Sequence, residues 1–311
     1  MKKKLIAVVL TLVLIIGVVG CSSDTGTSNQ GSEGGNYKVY LITMDQMDQH
    51  WVTVDGGAKK AAEELGNVDY TWLAPDVKDD AKQIESINNA IAGGADAILL
   101  AANGPTAVTS ALREAEAEGV KIVYVDSPAD FPAVQTLATD NEAAGKIAGI
   151  EMLEALKGKS VTSGKIGIVN VNASTASTVA REKGFRSAFE GTVFEILETQ
   201  YGDGDAARSK DIAANYITEG VVGIFGGNEG STVGTGNAIK EAGGEVIGVG
   251  FDKSDTILQL IKEGHLLATM SQNPDVMGYE GVKTAVKVLE GNTIDKDYVD
   301  TGVSVIKKDS L

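Results

Sequence analysis

The chain has 311 residues, 43% of them apolar, with 27 Lys+Arg against 43 Asp+Glu and a formal charge of −16. That length suits one large domain or two smaller ones, and the acidity opposes binding to nucleic acid or to anionic lipid through the protein body. A single cysteine, Cys21, excludes an intrachain disulfide, and neither histidine, His50 or His265, has a metal-spaced partner.

Three lysines, Lys2 to Lys4, precede an apolar run from Leu5 to Gly20, "LIAVVLTLVLIIGVVG". A positive start, a short apolar core and a small residue at its end read as a secretory signal peptide over residues 1–20. The run is slightly short for a spanning helix, which needs ~20 apolar residues. Val18-Val19-Gly20-Cys21 is similar to the lipobox of bacterial lipoprotein signals. That resemblance implies cleavage before Cys21, a diacylglycerol on its sulfur and an acylated new N-terminus. The segment that follows, "SSDTGTSNQGSEGGN", has no apolar residue to bury, so residues 21–36 read as an anchor and flexible tether. The alternative is an uncleaved membrane helix with an incidental cysteine, and the polar tether argues against it. The expected location is the extracytoplasmic face of the cell membrane, held by lipid alone.

From Tyr37 short β-branched runs alternate with helical segments. "YKVYLIT" (37–43) reads as a strand, "TVDGGAKKAAEELG" (53–66) as a helix and "VDYTWLA" (68–74) as a strand. "DDAKQIESINNAIAGG" (79–94) sets Ile84, Ile87 and Ile91 on one helical face. "ADAILLAA" (95–102) is a continuous apolar run, as in a strand buried on both faces. "TAVTSALREAEAEG" (106–119) reads as a helix with Thr106 as N-cap, and "KIVYVD" (121–126) as the next strand.

The rhythm restarts after "LATDNEAAGKIAGIEMLEALKG" (137–158). Strands at 164–171, 193–199, 220–227 and 245–251 alternate with helices at 178–191, 206–218, 231–243 and 254–264. Such alternation predicts parallel sheets with right-handed crossovers, here two doubly wound α/β lobes. The tail adds a strand, a helix and a last strand, "VDTGVSVIKK", which must complete the two lobes.

Taken in order, "DGGAKKAAEELG", "ILLAANGPTAVTSALREAEAEGVKIVYVDS", "LATDNEAAGKIAG", "AREKGF", "VIGVGFDKSD" and "LATMSQNPDVMGYEGVKTAVKVLEG" resemble the type I periplasmic binding proteins of the ribose-binding, sugar ABC-transporter class. The resemblance spans essentially all of residues 37–311. It implies two lobes joined by three crossings, near Thr139-Asp140, Gln272-Asn273 and Gly302. One lobe is then 37–139 with 273–302 and the other 140–272 with 303–311. It also implies a small polyhydroxylated ligand in the cleft, hinge closure over it, and delivery to an ABC permease and its ATPase, with no cofactor. Independently, open α/β sheets bind ligands beyond the carboxyl ends of their strands.

The candidate ligand residues sit at such ends. Asp126 closes "KIVYVD" and Asp252 follows "VIGVGF", each readable as a ligand carboxylate or as an N-cap or turn aspartate. Phe251 is the expected wall beside Asp252. Asn228 and Gln272 match ligand-contact positions, and an amide both donates and accepts. Arg181 in "AREKG" matches an arginine that reaches the sugar with a fork of donors, against the alternative of a surface ion pair. In the first loop, "MDQMDQHWVTVDGG", Trp51 matches an aromatic position that packs on sugar C–H faces, the alternative being core. His50 replaces a usual aromatic, and Asp48 a frequent asparagine. Ser127 stands where ribose binders have arginine, and Gly204 near their phenylalanine. These departures imply a roomier, more acidic pocket, and make ribose itself doubtful. A different pentose, a hexose, a polyol or a furanosyl compound would fit as well. Asp45, Asp48, Asp126, Glu229 and Asp252 against one arginine even permit a cationic ligand group.

Enzyme readings find no support: no HExxH, no P-loop, no GxGxxG after the first strand and no Ser/His/Asp spacing. A DNA-binding regulator on the same core would need an N-terminal helix-turn-helix where this chain has a signal peptide. The remaining alternative is a signalling receptor, read by a sensor kinase or chemoreceptor, including receptors for furanosyl signals of the autoinducer-2 type. The first loop lacks the lysine those receptors carry.

Overall fold

The computed structural model describes residues 36–311. The signal peptide and Cys21 lie outside the described residues. From Asn36 the chain forms β1 (Tyr37–Ile42), α1 (Gln49–Leu65), β2 (Val68–Leu73), α2 (Asp80–Ala92), β3 (Ala97–Leu100), α3 (Thr109–Ala117), β4 (Lys121–Val125) and β5 (Gln135–Ala138). It continues with α4 (Asn141–Gly158), β6 (Gly164–Asn170), α5 (Ala176–Ala188), β7 (Phe194–Ile196), β8 (Gln200–Tyr201), α6 (Ala206–Thr218), β9 (Val221–Gly226) and α7 (Glu229–Glu241). The last elements are β10 (Ile247–Phe251), α8 (Asp255–Glu263), β11 (Ala268–Gln272), α9 (Pro274–Leu289), β12 (Tyr298–Asp300) and β13 (Val303–Lys307).

The strands make two sheets with the same winding. The first runs β2-β1-β3-β4-β5-β12 and the second β7-β6-β9-β10-β11-β13, with β8 beside β6. Alternation along each strand divides the apolar side chains between two helix layers. Leu41, Leu99 and Val123 pack under α1 and α9 with Val54, Ala58 and Met277. Ile42, Ile98 and Leu100 face Ile87 and Leu112 of α2 and α3. In the second lobe Ile166, Ile168, Phe225 and Met270 pack against α4 and α5. Val169 and Ile224 face Ala213, Tyr216 and Ala238. Every strand of the two sheets finds its partners within residues 37–307.

Each lobe has a helix pair whose backbones touch at two glycines. A Cβ on Gly57 would strike the Asp275 carbonyl, and one on Gly278 the Val54 carbonyl, between α1 and α9. Between α4 and α5 the same is true of Gly145 against the Arg181 carbonyl and Gly184 against the Glu142 carbonyl.

The chain passes between sheets three times, after β5, after β11 and between β12 and β13. These passages are braced together. The Asp140 N–H donates to Asp300 Oδ1 (3.0 Å), as does the Gly302 N–H (2.8 Å), and Asn273 Nδ2 donates to the Thr301 carbonyl (2.7 Å).

Several expectations need correction. The second sheet is not wholly parallel, because β13 pairs antiparallel with β11. All other strands run toward the cleft, so a strand that crosses from β12 enters the second sheet running away from it. The expected single last strand is therefore two, divided at Thr301-Gly302, where Gly302 has φ 84°. The first helix begins at Gln49, not Thr53. Thr106 is not an N-cap, since its hydroxyl donates to Asp130 Oδ2 (2.7 Å) and the helix starts three residues later.

Candidate functional site

Asp126 and Asp252 stand at equivalent strand ends, after β4 and after β10. Both have left-handed backbone, φ 63° and 72°. Aspartate tolerates that region better than most residues, and such conformations cluster at functional sites. Both line one cavity between the lobes. The first lobe contributes Met44, Asp48, His50, Trp51, Lys78 and Asp126; the second contributes Val171, Ser177, Thr178, Arg181, Asn228, Asp252 and Gln272. The free volume is ≈ 20 Å³, room for about one water. The side chains themselves fill the cleft.

His50 lies at its centre. Nε2 is 3.2 Å from Asp126 Oδ2 and Nδ1 is 3.5 Å from Asp252 Oδ1, so one imidazole bridges the two lobes. Burial alone would push its pKa down, but Asp252 and Asp126 outweigh burial and raise it to about 10. The same pairing holds both carboxyls below the usual carboxylate range despite their burial.

Arg181 comes from α5 and is 2% exposed. Its Nε donates to Asn141 Oδ1 (2.8 Å) and Nη1 to the Gly227 carbonyl (3.1 Å), while its guanidinium lies 4.4 Å from the Phe251 ring centre. Nη2 is 3.5 Å from Asp126 Oδ2 but has no aligned hydrogen-bond partner among the described residues. His50 Nε2 and Gln272 Oε1 are likewise unmatched. Gln272 Nε2 donates to Asp252 Oδ1 (2.6 Å). Asn228 caps α7, accepting from the Ser231 N–H (3.1 Å), and turns Nδ2 toward Asp48 (3.4 Å). Trp51 is buried, lines the cavity and belongs to the core as well; its Nε1 donates to Asp45 Oδ2 (3.2 Å) and its ring meets His50 edge-on.

Two expectations about the pocket change. Phe251 is not its wall: fully buried, it packs against Phe225 and supports Arg181 from behind. Nor is the pocket roomier and unopposed in its acidity. Ser127 meets Ser177 across the cleft at 2.7 Å, so the small residue lets the lobes close in. The space at Gly204 is taken by Lys78, whose Nζ would lie 2.8 Å from a Cβ there. Lys78 pairs with Asp45 and with Asp48 (2.8 Å). Burial pushes Asp45 up, but Lys78 outweighs it and holds the carboxyl low.

Lys78 is the charged cavity residue that the sequence reading missed, along with the uncharged Met44, Val171, Ser177 and Thr178. Lys78 follows β2, which neighbours β1, so the strand-end rule that selected the aspartates covers it too. The arrangement presents carboxylates, a guanidinium, amides and an imidazolium from two lobes to one small space. That donor set suits a compact neutral molecule rich in hydroxyls. Among the described residues no cluster of three His, Cys, Asp or Glu could hold a metal, and no helix is long and apolar enough to cross a membrane.

A family model described as a periplasmic binding protein domain matches residues 39–293. The chain belongs to that family. Its fold is that of the type I periplasmic binding proteins, which are binding components rather than enzymes. It is 29% identical over 297 residues to the ribose import binding protein of Haemophilus influenzae, covering 94% of this chain and 96% of that one. Against the ribose import binding protein of Escherichia coli the identity is 28% over 265 residues, covering 84% and 87%. Among solved structures, an ABC-transporter solute-binding protein from Agrobacterium vitis with bound D-fucose superposes with TM-score 0.83 at 29% identity, over 88% of this chain and 96% of that one. A carbohydrate-transporter solute-binding protein from Agrobacterium radiobacter, in complex with D-arabinose, gives TM-score 0.84 at 30% identity, over 88% and 95%.

Proposed function

We propose that this periplasmic binding protein captures a small neutral sugar or polyol between its lobes and hands it to an ABC permease and its ATPase. The observation that carries the reading is the bridge at the cleft centre: carboxylates from equivalent strand ends of opposite lobes, joined through one imidazolium. Hydroxyls of a sugar ring would replace that imidazolium as the lobes part and close again. Asp126 and Asp252 would accept from them, Arg181 Nη2 and the Asn228 amide would donate, Gln272 Oε1 would accept, and Trp51 would pack on the ring. Lys78, His50 and Arg181 offset most of the acidic charge, which favours a neutral ligand over a cationic one. Relatives named for ribose and solved neighbours with D-fucose or D-arabinose support a pentose or hexose. In the same reading Cys21 carries the lipid anchor and residues 22–36 the leash.

The test is a thermal-shift screen of residues 22–311 against pentoses, hexoses, inositols, furanosyl signals and nucleosides. A ligand at 100 times its Kd adds ~2.7 kcal/mol to stability, a readily measured shift. A neutral pentose or hexose is expected among the hits. Silence from all neutral sugars with a hit on a furanosyl signal would instead favour a signalling receptor.

A further inference from the structure

Glu229 is the first residue of α7 and lies beside the ligand cavity without lining it. It is 9% exposed, on a groove of ≈ 860 Å³ at the mouth of the cleft. Its Oε2 accepts the backbone N–H of His50 at 3.1 Å, across the lobes. Helix α1 needs that acceptor. The first N–H groups of a helix have no partner within it, and the N-cap side chain usually supplies one. Here the N-cap residue is Asp48, which makes no cap bond because its carboxylate faces Lys78. A carboxylate from the opposite lobe does the capping instead, at the end of the helix dipole that favours negative charge.

We propose that Glu229 is a proton-sensitive latch of lobe closure, capping α1 across the cleft and strengthening closure as the medium becomes more acidic. This rests on the reading of the cleft as one that opens and closes.

The surroundings of Glu229 set the sign. Asp48, in the loop before α1, and Asp252, in the loop after β10, both repel its charge. Asp45, Asp203, Asp205 and Asp255 line the same groove. The two cations there are engaged elsewhere, Lys78 with Asp45 and Asp48, and Arg208 with Asp203. Burial first, then Asp48 and Asp252, push the Glu229 carboxyl up to about 7 when the lobes are together. With the lobes apart it regains water and loses Asp48, so its proton is held less tightly. The closed form therefore binds the proton better, and lowering the pH through about 7 favours closure. A neutral carboxyl still offers an oxygen to the His50 N–H. His50, which also spans the lobes, holds its proton more tightly in the closed form, where its pKa is raised to about 10, so it adds a response of the same sign.

Small-angle X-ray scattering of residues 22–311 without sugar tests this between about pH 5.5 and 8.5, the window around the shifted carboxyl. The radius of gyration of the wild type is expected to fall as pH falls. Glu229→Gln keeps an acceptor without charge and should be more compact than the wild type at the upper end, with a shallower pH dependence that is the share of His50. Glu229→Ala removes the cap and should be more expanded than Glu229→Gln at both. A wild-type profile flat in pH, or a Glu229→Gln profile that follows the wild type, overturns the latch. Adding saturating D-ribose or D-arabinose separates the two claims. Compaction by sugar with no response to pH removes the latch and leaves sugar capture standing. Compaction by acid without any response to these sugars keeps the latch and counts against the proposed ligand class.

Discussion

Asp126 and Asp252 occupy the same place in their respective lobes and the same left-handed backbone region, yet they are held differently. Asp252 sits on a packed platform. Its N–H donates to the Met270 carbonyl (2.9 Å), its own carbonyl accepts from Thr269 (2.7 Å), and the Gln272 amide fixes its carboxylate. Behind it Phe251, Phe225 and Phe185 form a contiguous aromatic stack that also carries Arg181. Asp126 makes the matching backbone bond, its N–H donating to the Leu137 carbonyl (2.9 Å), but its carboxylate has only the Ser127 hydroxyl (2.6 Å) and otherwise relies on charge, from His50 and from Arg181 of the other lobe. The loops around it are tied by ion pairs through Lys78. One face of the site is built by packing and the other by electrostatics, so they should fail under different perturbations.

The largest effects should come from the aspartates. Removing one partner of a buried charge pair typically costs about 3–5 kcal/mol. Asp126→Ala and Asp252→Ala are each expected to weaken sugar affinity by at least ~100-fold in calorimetry. Circular dichroism should show both folded, because neither side chain belongs to an apolar cluster.

His50→Gln comes next. It removes the cation between the two carboxylates and should lower the wild-type Tm at pH 7 by several degrees. His50 has its pKa raised to about 10, so its contribution is complete below the ordinary histidine range, about 6.5, and fades as pH rises through about 10. The Tm gap between wild type and His50→Gln should therefore be wide at pH 7 and narrow near pH 10.5. An unchanged gap would mean that the imidazole acts by packing rather than by charge.

The two helix crossings give a matched pair of smaller effects. Gly145→Ala and Gly57→Ala should each cost about 1–3 kcal/mol by overpacking. Gly145 abuts the Arg181 backbone, so its substitution should also weaken sugar binding, whereas Gly57→Ala should act mainly on Tm. Gly204→Ala is expected to be the mildest. Its φ of 74° penalises a side chain by about 1 kcal/mol, and the Lys78 head it would meet is flexible.

The lobes were largely legible from alternating strand and helix patterns, because short apolar runs such as "ADAILLAA" and "GVVGIFGG", each set between helical segments, are what buried strands look like. The short β5, β8 and β12 were not, since two to four residues carry no periodicity of their own and no apolar run marks them as it marks β3. At the site, a strand-end rule and the family resemblance brought Asp126, Asp252, Asn228 and Arg181 to the cleft. Neither foresaw that His50 would span both aspartates, that Lys78 would fill the place beside Gly204, or that Phe251 would turn inward. Those outcomes depend on which side chains face each other once two lobes meet, and no local pattern encodes that.

The most direct test of sugar capture is a crystal structure of residues 22–311 grown with the pentose or hexose giving the largest thermal shift. Expected is a sugar ring in the interlobe cavity, hydrogen-bonded to Asp126 from one lobe and to Asp252 and Arg181 from the other, with His50 displaced from between the carboxylates. A sugar bound elsewhere, or an imidazole still bridging Asp126 and Asp252 with the sugar present, would contradict it.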